Sequence, residues 1–127
     1  MALSTELTQF LASLQPYDSL SEANLATLAQ ACSTAQFSTE DTIFDLGDSV
    51  SDLYIVAHGE VQITDETQVP LSLLGPRNSF GERALLRKLP SARTATVTQD
   101  ALLITMPADT MFALIAEHPN IAQFFDR

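Results

Sequence analysis

The spacing of apolar residues changes period twice along the chain. Leu7, Phe10, Leu11 and Leu14 recur at i, i+3, i+4 and i+7, the stripe of an amphipathic helix that Ser4 or Thr5 would cap and that ends near Pro16. Ser21 reads as the N-cap of a second helix, with Leu20 before it and Leu25 inside it forming a hydrophobic staple. Leu25, Leu28, Ala29 and Cys32 continue its apolar face, so the two helices are expected within residues 4–33.

From Ala35 the period shortens to two. Short β-like runs fall at roughly 35–38, 42–46, 52–57, 60–64, 69–74, 94–98 and 101–106. Gly47-Asp48, His58-Gly59 and Gly75-Pro76 separate them with the permissive backbone that reversals need. Leu53, Ile55 and Ala57 alternate with Tyr54, Val56 and His58, which predicts a half-buried antiparallel sheet, as a sandwich or barrel.

The helical period returns at the end. Pro107 opens a helix with Met111, Leu114 and Ile115 on one face, which should stop before Pro119. Ile121, Phe124 and Phe125 begin another stripe that the chain end cuts short at Arg127. So short a stub gives two phenylalanines little to pack against, so the expectation is a fragment whose last helix continues in the native protein. A short docked terminal helix is the alternative. The fold class is α+β, with residues 1–127 in a single domain.

Composition narrows the function classes. Some 46% of residues are apolar, yet no apolar run approaches the roughly 18 needed to cross a membrane. The N-terminus lacks the basic and apolar regions of a secretory signal, so the cytoplasm is the expected compartment. Cys32 is the only cysteine; with no partner for a disulfide and a place on a helical stripe, it reads as a buried, inert thiol. His58 and His118 stand sixty positions apart with nothing spaced to complete a metal set, so no metal or cofactor is expected.

The net charge of −10 argues against a nucleic-acid partner. Its distribution says more. Arg77, Arg83, Arg87, Lys88 and Arg93, five of the six basic residues, fall between positions 77 and 93, where Glu82 is the only acid. Such segregation suits a small anion, with a solvated basic loop as the plainer reading.

The centre of that window is Phe80-Gly81-Glu82-Arg83-Ala84-Leu85-Leu86, followed by Pro90-Ser91-Ala92-Arg93-Thr94-Ala95-Thr96-Val97. Gly81 removes a side chain where a short helix could begin, opening backbone N–H groups to an anion. Arg93 can offer a bidentate pair of charged donors to a phosphate. Glu82 could accept from sugar hydroxyls. Together these groups suit a ribose phosphate.

Phe80-Gly81-Glu82 with Arg93-Thr94-Ala95-Thr96-Val97 resembles the phosphate-binding cassette of the cyclic nucleotide-binding domain family, found in catabolite activator proteins, cyclic-nucleotide-dependent kinases and gated channels. Phe44-Asp45-Leu46-Gly47-Asp48, Leu53-Tyr54-Ile55-Val56 and His58-Gly59-Glu60-Val61 are similar to the family's first hairpin, so the likeness covers residues 20–125. It implies an antiparallel, jelly-roll-like β-roll of seven to eight strands over residues 35–106, with a cassette helix at 82–87 and helices on either side. By the resemblance, Glu82 accepts from the ribose 2′-hydroxyl and Arg93 pairs with the exocyclic phosphate oxygens. The backbone of Gly81, Arg83 and Ala84 completes the cradle, and Thr94, with Ala95 beside it, adds a hydroxyl. Thr94 fits cAMP or cGMP; cAMP is the favoured ligand.

Two departures stand out. Arg83 occupies a place that is more often apolar in the family, and its side chain is expected to point to solvent, with added positive charge in the pocket as the alternative. The spacing of eleven from Glu82 to Arg93 exceeds that of the compact kinase cassettes. The base-capping helix of the family is expected to be missing or truncated. The implied role is a regulatory sensor and not an enzyme: a β-roll enzyme of the cupin kind would need clustered histidines, and a catabolite-activator transcription factor would need a basic helix-turn-helix after residue 127. Its implied partners are a cyclic nucleotide and downstream domains of the parent chain, with no membrane and no nucleic acid, and a homodimer is compatible. A domain that kept the fold as a ligand-free interaction or dimerisation module is the alternative. The stretch from Leu102 to Phe125, with the N-terminal helix pair, resembles sensors that begin bacterial signalling proteins containing CBS pairs and a nucleotidyltransferase-like region.

Overall fold

The computed structural model describes residues 2–125. Helix α1 (Ala2–Ala12) leads through a 3-10 turn at Tyr17–Ser19 into α2 (Glu22–Ala31). Ser21 caps α2, its hydroxyl accepting from the Asn24 N–H at 3.1 Å, and Leu20 and Leu25 are both buried in one core cluster, as a staple requires. Because α1 already starts at Ala2, it does not begin after Ser4 or Thr5, whose side chains lie outside the described ones.

Six strands follow: β1 (Ser33–Phe37), β2 (Thr42–Phe44), β3 (Asp52–Thr64), β4 (Pro70–Leu74), β5 (Ser79–Phe80) and β6 (Thr94–Pro107). They form one antiparallel sheet in the order β1-β6-β3-β4, with β2 also on β6 and β5 on β3. The expected count of seven to eight strands is corrected to six. The runs 52–57 and 60–64 are one strand, as are 94–98 and 101–106, because neither His58-Gly59 nor Asp100 reverses the chain. The two-residue β5 was too short to leave a periodic signal.

What His58-Gly59 does instead is bend β3. The β3–β6 register shifts between Val56 and Val61, and the odd-to-even alternation changes with it: Tyr54 and Val56 face the same cluster as Val61 and Ile63. At the bend Gly59 has φ +91°, and a Cβ there would sit 2.7 Å from the Ala101 Cα. The curled sheet thereby encloses one core between its own strands, around Val56, Val61, Val97 and Leu103. Its outer face meets the helices in a second core that includes Leu11, Tyr17, Leu28, Ile55, Met106 and Met111. Helices α4 (Ala108–Glu117) and α5 (Pro119–Phe125) complete that layer, with Pro107 at the N-cap of α4 and Ile121 fully buried. Among the described residues β4 has no strand on its outer side, and Leu71 and Leu73 stay exposed there.

Gly59→Ala is expected to destabilise the domain by about 2 kcal/mol or more, since it joins the roughly 1–2 kcal/mol strain of a left-handed non-glycine residue to a backbone overlap that cannot relax without opening the β3–β6 contact. Urea unfolding of the variant beside the wild type checks it, and equal midpoints would contradict this account of the bend.

Candidate functional site

Between β5 and β6 the chain makes the short helix α3 (Glu82–Arg87), the span expected for the cassette helix. Gly81 turns the chain into it at φ +88°, a left-handed value that a side chain would strain. A Cβ at that position would also press within 3.3 Å of the Asp52 carbonyl. Lys88 ends α3 in the left-handed conformation, and its N–H is shared between the Ala84 and Leu85 carbonyls. Leu85, 2% exposed, pins α3 to the helical-side core. Just before the turn Phe80 stacks on Tyr54 with ring centroids 5.2 Å apart, and Phe44 lies 6.0 Å from Phe80. The helix therefore starts from a rigid aromatic platform.

The return into β6 is held by Ser91, which pattern reading missed. Its hydroxyl donates to the Arg93 carbonyl at 2.7 Å and accepts from the Arg93 N–H at 3.1 Å. Its backbone pairs with Gly47 and Asp48, so the turn after β2 grips the segment that presents Arg93. A buried serine tied to its own neighbour leaves no sequence signal beyond being small and polar.

A cavity of about 570 Å³ opens between α3, this segment and the sheet. Its polar lining includes Glu82, Ser91 and Arg93, with Arg83 and Arg87. Its apolar lining includes Phe44, Ile63, Leu71 and Leu74, strand residues that the alternation pattern alone could not assign to a ligand. Of the seven candidate residues, the structure brings Gly81, Glu82, Arg83 and Arg93 to this cavity and leaves Ala84, Thr94 and Ala95 off its wall. Thr94 Oγ1 accepts the Leu46 N–H at 3.1 Å. Ala95 is fully buried in the core of the roll.

The basic cluster divides in the same way. Arg77 clamps α1, donating to Ser13 Oγ at 3.1 Å and to the Ser13 carbonyl at 2.6 Å. Lys88 lies 5.0 Å above the Phe112 ring. Only the three arginines at 83, 87 and 93 line the cavity, so the charge segregation read from sequence overstates the positive field there. Arg83 is exposed and also lines the cavity. Arg93 Nη1 donates to the Ala92 carbonyl at 3.1 Å, which leaves guanidinium N–H groups available to an anion.

Glu82 is the strained member of the set. Its Oε2 is buried and has no hydrogen-bond partner among the described residues. Burial raises its pKa above the ordinary value, and its own backbone N–H and the Arg83 guanidinium offset only part of that. Cys32, expected to be a buried thiol, is half-buried at the edge of the helix-facing core, and burial pushes its thiol up to about 12.

A curled antiparallel sheet with a short helix beside a recess lined by arginines and apolar strand residues is the architecture of a small-molecule-binding β-roll. Residues 34–118 match the cyclic nucleotide-binding domain family, and the chain belongs to it. Among curated relatives, the CRP-like cAMP-activated global transcriptional regulator of Mycobacterium tuberculosis is 25% identical over 121 residues, covering 92% of this chain and 54% of that protein. A cGMP-dependent protein kinase of Toxoplasma gondii is 32% identical over 99 residues, which are 78% of this chain and 10% of the kinase. The chain thus spans about half the length of the regulator and far less of the kinase. Among solved structures, the regulatory domain of Toxoplasma gondii PKA with cAMP aligns at TM-score 0.80 and 29% identity, over 88% of this chain and 44% of that one. The sensor domain of the transcriptional regulator DNR from Pseudomonas aeruginosa aligns at TM-score 0.86 over 98% of this chain and 87% of its own, and at 18% identity that is a likeness of fold. Among the described residues no helix is long and apolar enough to cross a membrane.

The raised Glu82 pKa has a definite consequence for stability. The folded protein binds this proton more tightly than the unfolded chain, so its contribution is fully present below the ordinary value of 4.5 and is lost as pH rises through the folded value. Glu82→Gln removes that loss. The variant is expected to melt higher than the wild type near pH ~7 and the difference to shrink toward pH ~4; a constant difference across that range would show that Glu82 is not the titrating group.

Proposed function

We propose that this domain is a regulatory sensor that binds a 3′,5′-cyclic nucleotide, cAMP in preference to cGMP, and passes its occupancy to downstream domains of the parent chain. The observation that carries this reading is the pairing, on one cavity, of a guanidinium with free donors at Arg93 and a carboxylate at Glu82 whose charge its surroundings disfavour. A phosphodiester satisfies the first and a ribose hydroxyl the second, and each supplies what the other excludes. The apolar lining at Ile63, Leu71 and Leu74 suits the face of a base.

The preference for cAMP rests on Thr94. With its oxygen accepting from Leu46 and its side chain off the cavity wall, it is not offered to the exocyclic amino group that distinguishes guanine. The mycobacterial regulator is described as cAMP-activated and the Toxoplasma gondii PKA regulatory domain was solved with cAMP, which supports the same choice. No catalytic role is assigned to any residue. The relay runs through the groove where Arg83, Leu86 and Arg87 of α3 face Phe112 and Ile115 of α4 and Phe125 of α5. A ligand that repositions α3 shifts the seat of those two helices.

Removing one partner of a charge-assisted pair in a partly buried site costs about 2–5 kcal/mol, so Arg93→Ala is expected to weaken cAMP binding by at least about tenfold in calorimetry. Unchanged affinity would sink the assignment. In thermal-shift titrations of the wild type, cAMP should raise the melting temperature saturably, cGMP less, and AMP and cyclic dinucleotides not at all. Equal shifts from cAMP and cGMP would remove the stated preference, and no shift from either would favour a ligand-free interaction module.

A further inference from the structure

Two side-chain oxygens in the described structure are shielded from solvent and have no hydrogen-bond partner, and both belong to one neighbourhood. They are Glu82 Oε2 and Tyr17 Oη. Unpaired buried polar groups are rare in folded proteins because each costs about 1–3 kcal/mol. Here one is a carboxylate oxygen, which accepts, and the other a phenol, which donates.

The fold brings their segments into one core. Glu82 lies three residues before Leu85, so the two share a face of α3, and Leu85 is buried in the same cluster as Tyr17. Tyr17 is itself 2% exposed, at the 3-10 turn that links α1 to α2. Burial first, then the proximity of Cys32 and of Glu82, raises the pKa of its hydroxyl, so the phenol keeps its proton and senses the carboxylate charge. Nothing in the cassette sequence points to a residue sixty-five positions upstream.

We propose that Tyr17 is a positioning residue for Glu82, its phenolic O–H donating to Oε2 through one bridging water and so holding the other carboxylate oxygen toward the cavity. This rests on the cyclic-nucleotide reading, in which Glu82 accepts from the ribose 2′-hydroxyl. It gives the N-terminal helices a part in ligand selection: they set how strongly the site distinguishes a ribose from a deoxyribose. The thiol of Cys32 is the other polar group beside the phenol, and as a weak acceptor it cannot replace the carboxylate.

The test is calorimetry of cAMP and 2′-deoxy-cAMP against the wild type, Tyr17→Phe, Glu82→Ala and the double variant. Tyr17→Phe keeps the ring and removes only the donor. Hydrogen bonds to a charged group contribute enough for roughly a tenfold change in affinity, so Tyr17→Phe should lower the preference for cAMP over 2′-deoxy-cAMP by about tenfold. It should have no further effect in the Glu82→Ala background. An equal loss for both ligands, or an unchanged ratio, overturns the positioning role. A wild type that binds neither ligand overturns the cyclic-nucleotide reading as well, and is thereby told apart from failure of the Tyr17 assignment alone. A readout that needs no substitution is the Tyr17 ring resonances of the wild type by NMR, expected to move on addition of cAMP and to stay in place with 2′-deoxy-cAMP; the reverse pattern, or no movement with either, contradicts the proposal.

Discussion

The pairing of β3 with β6 is the constraint from which the rest of this structure hangs. Every other strand is hydrogen-bonded to one of these two: β1 and β2 to β6, β4 and β5 to β3. Both strands are long, 13 and 14 residues, and a flat ribbon of that length would present two open faces and enclose nothing. The register shifts around Gly59 curl it, and the curl divides the apolar residues into an interior cluster and a helix-facing one. Only because the ribbon curls does β5 end where Gly81 can turn the chain against Asp52 and launch α3 over the recess.

Within that frame the site has been built at some expense to the fold. An apolar residue in place of Glu82 would fill its surroundings without an unpaired oxygen, and the structure instead retains a buried carboxylate whose charged form is disfavoured by its surroundings. Arg93 is anchored through its backbone by Ser91, and its head group makes one bond, to the Ala92 carbonyl, which keeps its remaining donors available. The rigid parts carry the weight: the aromatic platform of Phe44, Tyr54 and Phe80 below, and Leu85 fastening α3 from the other side.

Much of this was legible in the chain. The helical stripes, the Ser21 cap, the span of α3 and the convergence of Gly81, Glu82, Arg83 and Arg93 all follow from local signals, because helix periodicity, capping and an obligatory glycine are short-range effects. The sequence misled where local chemistry has two uses. His58-Gly59 looks like a reversal, and the same positive φ serves a bend in a continuing strand. Five basic residues looked like one field, and two of them are occupied elsewhere, by Ser13 and by Phe112. Ser91, Tyr17 and the apolar wall at Ile63 and Leu71 were illegible for a different reason: their roles depend on contacts between segments far apart in the chain, which no period encodes.

The open flank of the sheet carries a last consequence. β4 presents unpaired backbone groups together with exposed leucines at 71 and 73, the combination on which a strand from another molecule could add itself and start an aggregate. The strand is only five residues long and opens with Pro70, which has no N–H to offer. A proline at the head of so short an edge leaves an incoming strand too few donors in sequence to zip against, so the apolar rim can stay open to a small ligand without inviting another chain.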